Sequence, residues 1–179
     1  METATAVSSS PTGFDNATII DVLRADQAQI GRLFEEYLKA MGDSPMEKQE
    51  LAQTICEAVT IHRKVEEEVL YPEIRKANDV LASALAQADI DISRRIADIR
   101  ENATDEVQRD SALVQLIGLV HRRAKAREQV VFPFVQWRVP EETMRRLAAE
   151  CARRSLRLRR AAHSLMGSVM PAAPRQQQA

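Results

Sequence analysis

Residues that break helices are scarce in this sequence, which has 5 glycines and 7 prolines among 179 residues. Alanine, leucine, arginine and glutamate, which are good helix formers, are abundant instead. The hydrophobic share of 45% and the charged share of 28% are ordinary for a globular protein. The composition therefore predicts an all-α fold, in a chain long enough for one domain with a substantial core.

The sequence lacks the signatures of several functional classes. The formal net charge of −1 gives no overall attraction to nucleic acid or to a membrane surface. No apolar run approaches the ~18 residues of a membrane span, and the first residues lack the basic end and apolar core of a secretory signal. Cys56 and Cys151 are too few for a disulfide framework. We therefore expect a cytoplasmic protein with two buried free thiols.

Hydrophobic periodicity divides the chain into helices between two low-complexity tails. The tails, residues 1–13 and 170–179, are expected to be disordered. Four long helices are predicted between them, over about residues 16–41, 45–71, 79–100 and 104–132. Because short links join these helices, they should form an up-down-up-down four-helix bundle over residues 14–138. A fifth helix in residues 139–169, beginning at Pro140, should pack on the bundle.

Some helix ends carry local signals. Ser44 and Glu47 form a capping-box pattern before the second helix, and Thr104 can cap the fourth. Pro72 is expected to end or kink the second helix, because proline removes a backbone donor and crowds the preceding turn.

The second helix places ionisable residues on its apolar stripe. Residues three and four apart share a helix face, so His62 and Glu66 lie in line with Ile55, Val59 and Val69. Buried ionisable groups are costly unless they are paired, hydrogen-bonded or bound to a metal. The pattern therefore predicts a partner for both side chains inside the bundle.

The fourth helix repeats the end of the second. The segments VLYP at 69–72 and VVFP at 130–133 end two long helices, and their prolines are 61 residues apart with one helix between them. This spacing indicates two helical hairpins related by a pseudo-twofold axis. Bundles of this kind can hold metals in their core through side chains of facing helices.

The sequence resembles the hemerythrin family, specifically the bacterial hemerythrin-like HHE cation-binding domains, over about residues 17–135. The resemblance rests on His62, Glu66 and Glu67 followed by VLYP, on VFP at 131–133, and on ADQAQIGRLFEEYL at 25–38. It implies a bundle that holds two irons, bridged by carboxylates and an oxygen atom. It also implies oxygen carriage, oxygen or redox sensing, or the handling of nitric oxide or peroxide.

Other ligand positions depart from the family's pattern. Gln27 stands where the resemblance implies a histidine in the first helix, and Asp89, or alternatively Asp91, stands in the place of another in the third. In the fourth helix, counted back from its proline, Arg123 and Arg127 occupy the slots of a histidine and a glutamate. A guanidinium is always protonated and has no lone pair for a metal. An intact di-iron centre is therefore not expected.

One interpretation keeps a reduced metal site. A slight rotation of the fourth helix would align His121 and Glu128 two turns apart on one inward face. The candidate metal ligands are then the following polar side chains: His62, Glu66, His121, Glu128, Asp89 and Gln27. Imidazole and carboxylate groups suit iron and zinc, so this interpretation predicts at most one such ion.

The other interpretation is a metal-free interior. Arg127 would present its planar fork to Glu66, and Arg123 would pair with Asp89 across the bundle. The two guanidinium groups would then replace the positive charge that the metal brings in relatives.

The function that these patterns favour is a non-enzymatic binding or sensing module of the HHE class with an eroded metal site. Enzyme signatures such as a phosphate-binding loop or a nucleophile elbow are missing. The last helix is rich in arginine, but its arginines spread around the helix and lack accompanying aromatic residues that could stack on bases. We therefore expect this helix to dock on the bundle or on an acidic partner protein rather than on nucleic acid, and in the metal-free interpretation it serves for contact with a protein partner.

Overall fold

The computed structural model describes residues 16–40 and 44–167, apart from the side chains of residues 163 and 165–167. The predicted tails, residues 1–13 and 170–179, lie outside this part of the chain. Within the described residues the regular structure is helical and no strand is present. The predicted all-α fold is confirmed.

Four helical columns form a bundle, and a fifth helix packs on it. The helices are α1 (Ile19–Lys39), α2 (Pro45–Val65), α3 (Tyr71–Ala77), α4 (Asp79–Glu101), α5 (Glu106–Ala126), α6 (Phe132–Arg138) and α7 (Glu141–Gly167). A π-helical turn joins α2 to α3 (Glu66–Leu70), and another joins α5 to α6 (Arg127–Val131). The columns pack through α1 with α2, α3 with α4 and α4 with α5. The predicted four-helix bundle with an added carboxyl-terminal helix is therefore confirmed.

The helix caps differ from the predicted ones. Ser44 precedes α2, but within the described residues its side chain makes no capping hydrogen bond. The capping box lies instead at α1, where Thr18 and Asp21 bond each other's backbone N–H groups. Asp105, and not Thr104, caps α5 with its side chain. A carboxylate is as effective at this position as a hydroxyl, so the sequence did not distinguish the two neighbours.

Neither proline ends its column. Pro72 and Pro133 lie in the first turn of α3 and α6, immediately after the two π turns. There the missing proline N–H costs little, and the wider i→i+5 turn accommodates the extra residue. Glu66 and Arg127 each begin a π turn, and their backbone carbonyls accept the i→i+5 bonds from the residues before the prolines. The internal repeat seen in the sequence is thus a repeat of this irregular turn.

The apolar core consists of two clusters with a polar layer between them. On α1, Leu23 belongs to one cluster and Ile30 to the other. The buried residues of the other columns divide between the two clusters at the same height along the bundle. The buried ionisable residues of this layer are His62, Glu66, Asp89, Arg123 and Arg127. The fold therefore brings the polar positions of α2, α4 and α5 together at one height.

The last helix, α7, lies against α1 and α2. It buries four residues on that side: Met144, Leu147, Ala148 and Cys151. Arginines beside this stripe pair with acids of the bundle, as in Arg159 Nη2 at 3.6 Å from Asp26 Oδ1 and Arg154 against Glu68. In the described residues, none of the helices has a stretch that is both long and apolar enough to cross a membrane.

A second buried polar cluster, which the sequence did not predict, lies beside the other end of the core. Lys48 is 3% exposed, and its Nζ donates to Asp110 Oδ2 at 2.5 Å and to Glu106 Oε1 at 2.9 Å. The Tyr37 hydroxyl also donates to Asp110. The hydrogen bond to Asp110 raises the pKa of Lys48. This cluster joins the start of α2 to the start of α5.

Replacing Lys48 with methionine should lower the free energy of unfolding by about 1.5–3 kcal/mol, the usual cost of losing hydrogen bonds to charged groups. The measurement is urea denaturation followed by circular dichroism. Lys39→Met is the matched control, because Lys39 is exposed and its Nζ lies 3.9 Å from Glu35 Oε2. This control should change the free energy of unfolding by less than about 0.5 kcal/mol. Equal effects of the two substitutions would contradict a structural role for the cluster.

Candidate metal centre

The centre of the polar layer is a buried ion pair between Glu66 and Arg127. Arg127 Nη2 donates to Glu66 Oε2 at 2.6 Å, and Arg127 Nε lies 2.5 Å from Oε1. Both carboxylate oxygens therefore face the same guanidinium, and the side chain of Glu66 is 1% exposed. Two contacts with one planar fork hold the carboxylate in a fixed orientation.

The third nitrogen of the same guanidinium binds α1. Arg127 Nη1 donates to Gln27 Oε1 at 2.9 Å. Arg127 thus connects the fourth column to both the first and the second. Gln27, which the resemblance places in a metal-ligand position, uses its oxygen to accept from an arginine.

Arg123 forms a second buried group with Asp89 and Tyr71. Its Nη2 lies 3.3 Å from Asp89 Oδ1 and donates to the carbonyl of Leu85 at 3.1 Å and to the Tyr71 hydroxyl. The hydroxyl in turn donates to Asp89 Oδ2 at 2.7 Å. Burial raises the pKa of Asp89, against the opposing effects of Arg123 and Tyr71. Burial also raises the pKa of the tyrosine.

His62 lies beside this network without joining it. Its Nδ1 is 3.7 Å from Asp26 Oδ2, and its Nε2 is 4.0 Å from Glu66 Oε1. Both distances exceed those of a hydrogen bond, and neither ring nitrogen has a hydrogen-bond partner among the described residues. The ring is 4% exposed, so two buried nitrogens face carboxylates at a distance.

His121 and Glu128 are not brought to the interior. His121 is exposed and meets the ring of Phe34 edge-on, with ring centroids 5.9 Å apart. Glu128 is exposed and accepts two hydrogen bonds from Arg24, at 2.8 and 2.7 Å, which lower the pKa of the carboxyl. The inward face of the fourth column is the one that carries Arg123 and Arg127. The rotated face that would align the histidine with the glutamate is therefore not the buried one.

The residues of the polar layer do not fit a metal cation. Arg127 contacts the carboxylate of Glu66 and donates to the side-chain oxygen of Gln27, while Arg123 lies against Asp89. A fixed positive charge in contact with these oxygens repels a cation and takes the lone pairs that would bind it. Among the described residues, no group of three or more His, Cys, Asp or Glu side chains could hold a metal ion. The contacts predicted for the metal-free interior, Arg127 with Glu66 and Arg123 with Asp89, are both present.

The sequence of the bundle matches a known family. The family model of the hemerythrin HHE cation binding domain matches residues 18–135 of the 179-residue chain. The chain belongs to this family. No curated protein and no solved structure matches it. The matched part of this HHE protein ends within α6, so α7 is an addition to the family domain.

Two residues of the layer were missed from the sequence. Asp26 lies three residues after Leu23 and four before Ile30, so the apolar stripe of α1 could have revealed it. Tyr71 lies five residues after Glu66, a spacing that leaves the stripe of a regular helix. The π turn between them brings the two side chains to the same side, and no α-helical periodicity predicts such a turn.

Replacing Arg127 with methionine should lower the free energy of unfolding by about 3–5 kcal/mol, because it leaves the Glu66 charge buried without a partner. Chemical denaturation measures the loss. The double variant Glu66→Gln/Arg127→Met should recover most of it, since both charges are then removed. Arg24→Met, which breaks the exposed bidentate pair with Glu128, should cost less than about 1 kcal/mol. If Arg127→Met were as mild as Arg24→Met, the ion pair would not be holding the interior together.

Proposed function

We propose that this HHE protein is a metal-free helical scaffold for binding another protein, in which Arg127 and Arg123 replace the charge of the cations that the family binds. The observation that carries the proposal is the two-point contact of Arg127 with both oxygens of Glu66. A ligand carboxylate that is held in this way offers no free face to a metal. Oxygen carriage and redox sensing, which in the family depend on iron, are then not the activity of this chain.

A binding module with a single retained ion is the second candidate. The observation that favours it is His62, whose two ring nitrogens have no hydrogen-bond partner among the described residues and lie near Asp26 and Glu66. Histidine with carboxylate is a common ligand combination for iron and zinc. The two candidates differ in the metal content of the purified protein.

The proposal predicts that protein produced in iron- and zinc-supplemented medium contains less than about 0.1 equivalent of any transition metal. It also predicts the same melting temperature with and without a strong chelator, because a ligand that does not bind the folded state cannot stabilise it. Elemental analysis and thermal melting measure the two quantities. About one equivalent, lost in a His62→Ala variant, would favour the second candidate. Two irons per chain with a visible oxo-bridge absorption band would contradict both.

The outer face of α7 supports a protein partner of opposite charge. Arg153, Arg157 and Arg160 lie on one face at helical spacing, with Leu156 half-exposed between them. Arg154 and Arg159, which contact acids of the bundle, lie on other sides of the helix, whereas Arg146, on the same face, has its Nη2 3.6 Å from Glu73 Oε1. A basic rim around an exposed apolar side chain is a common feature of protein-binding surfaces.

A cytoplasmic location stays a prediction.

Charge reversal tests this surface. Arg157→Glu/Arg160→Glu should weaken binding to polyglutamate at low salt about three- to tenfold, as expected from two exposed charge contacts. Fluorescence anisotropy with labelled polyglutamate measures the affinity. The matched control is Arg75→Glu/Arg94→Glu, which makes the same charge change at exposed positions on α3 and α4. Equal losses in the two variants, or tighter binding to duplex DNA than to polyglutamate, would contradict an acidic protein partner.

A further inference from the structure

A cavity of about 390 Å³ lies away from the polar layer, between the first half of α2, the end of α4, the start of α5 and the end of α7. Its wall is largely apolar and includes Ala52, Cys56, Ile99, Ala103 and Ala162. This volume falls in the range of small-molecule sites, roughly 300–1,000 Å³. The cavity is therefore large enough for a compact organic ligand.

Arg109 lines the same cavity, and its guanidinium is only partly satisfied. The residue is 2% exposed. Its Nη1 donates to the carbonyl of Ala103 at 2.9 Å, and its Nη2 lies 3.6 Å from Asp110 Oδ1. Within the described part of the chain, Nε and Nη2 have no hydrogen-bond partner. Leaving buried donors of a charged group unpaired costs free energy, so the site favours an added acceptor.

The neighbouring acid already accepts hydrogen bonds from two other groups. Asp110 accepts from Lys48 and from the Tyr37 hydroxyl. The contact with Lys48 is shorter than the 3.6 Å between Asp110 Oδ1 and Arg109 Nη2. Arg109 is thus a buried cation whose Nε and Nη2 make no hydrogen bond among the described residues.

The charges around the cavity add to an anion preference. Arg100 lines the wall as a second guanidinium, and among the described residues Glu57 is the one carboxylate there. The charge of Arg100 reaches the apolar wall, since it lowers the pKa of Cys56 against the effect of burial, which raises that pKa to about 11. Two cations therefore face one anion around a mainly apolar space.

We propose that this cavity binds a small amphipathic monocarboxylate, with its carboxylate on Arg109 and Arg100 and its hydrocarbon chain against Ala52, Cys56 and Ile99. A carboxylate can accept two hydrogen bonds from one guanidinium, and such charge-assisted bonds are stronger than neutral ones. The single net positive charge of the lining matches one negative charge on the ligand. The apolar wall excludes a strongly hydrated polyanion, whose desolvation it could not repay.

The experiment is isothermal titration calorimetry of the full chain with octanoate, octanol and acetate. Octanoate should bind at least about tenfold more tightly than either of the others, because only octanoate offers both the head group and the chain, and tenfold is 1.4 kcal/mol. Octanol binding as tightly as octanoate, or no detectable octanoate binding, would overturn the proposal. Neither result bears on the metal content of the protein, so this test is independent of the proposed function.

Variants of the two lining charges assign the bound octanoate to this cavity. Arg100→Gln should weaken octanoate binding about two- to fivefold, while Glu57→Gln should tighten it about two- to fivefold, because exposed and half-exposed charges each have modest effects. Arg94→Gln is the matched control, an exposed arginine on the same helix that lies outside the cavity, and it should leave the affinity unchanged.

Arg109→Met should abolish octanoate binding in protein that keeps its helical circular dichroism spectrum. If this variant fails to fold, Arg100→Gln and Glu57→Gln decide the assignment through their opposite effects on octanoate affinity. Loss of a side chain with a purely structural role would not tighten octanoate binding. Arg100→Gln behaving like Arg94→Gln, together with no effect of Glu57→Gln, would overturn the assignment.

Discussion

The interior of this protein depends on the neutralisation of one buried carboxylate. Glu66 lies between two apolar clusters with its side chain 1% exposed. An ionised carboxylate in such surroundings is very costly without a close positive charge. Relatives in the family supply that charge as a bound cation, whereas here Arg127 supplies it from the chain itself. The position of the guanidinium then fixes how the first, second and fourth columns pack around it.

The internal repeat explains why Glu66 and Arg127 meet in the polar layer. Glu66 and Arg127 occupy equivalent places, each at the start of a π turn and 61 residues apart. Two glutamates facing each other across the axis would need positive charge from outside the chain. A glutamate facing an arginine forms a neutral pair. Such a pair adds little net stability compared with a well-packed apolar interior, but loss of one partner would leave the other charge buried without compensation.

The fold and both buried ion pairs, Arg127 with Glu66 and Arg123 with Asp89, could be predicted from the sequence, but the places of Tyr71, His121 and Glu128 could not. Scarce helix breakers indicated the helices, and counting back from the two prolines matched Arg127 to Glu66 because both columns contain the same π turn. His121 and Glu128 were candidate metal ligands because the periodicity of one helix cannot show which of two neighbouring faces points inward. Packing buries the face that carries Arg123 and Arg127. The cavity at Arg109 depends on contacts between four separate helices, which no local pattern encodes.

The added helix α7 closes the layer on the side where His62 lies. Cys151 of α7 is fully buried, and burial raises its pKa to about 12, with the charges of Asp26 and Glu66 acting in the same direction. Those charges affect the thiol because α7 packs directly over the polar layer. Arg159 of the same helix lies 3.6 Å from Asp26 Oδ1 and adds a third cation beside the positions that relatives use for metal binding. The helix α7 covers one side of this interior and brings positive charge there, whereas a cavity of about 390 Å³ lined by Gln27 and Arg127 opens on another side, between α1 and the fourth column. The covering helix and the internal arginines therefore bring positive charge to the polar layer from two directions, from α7 outside the bundle and from the fourth column within it.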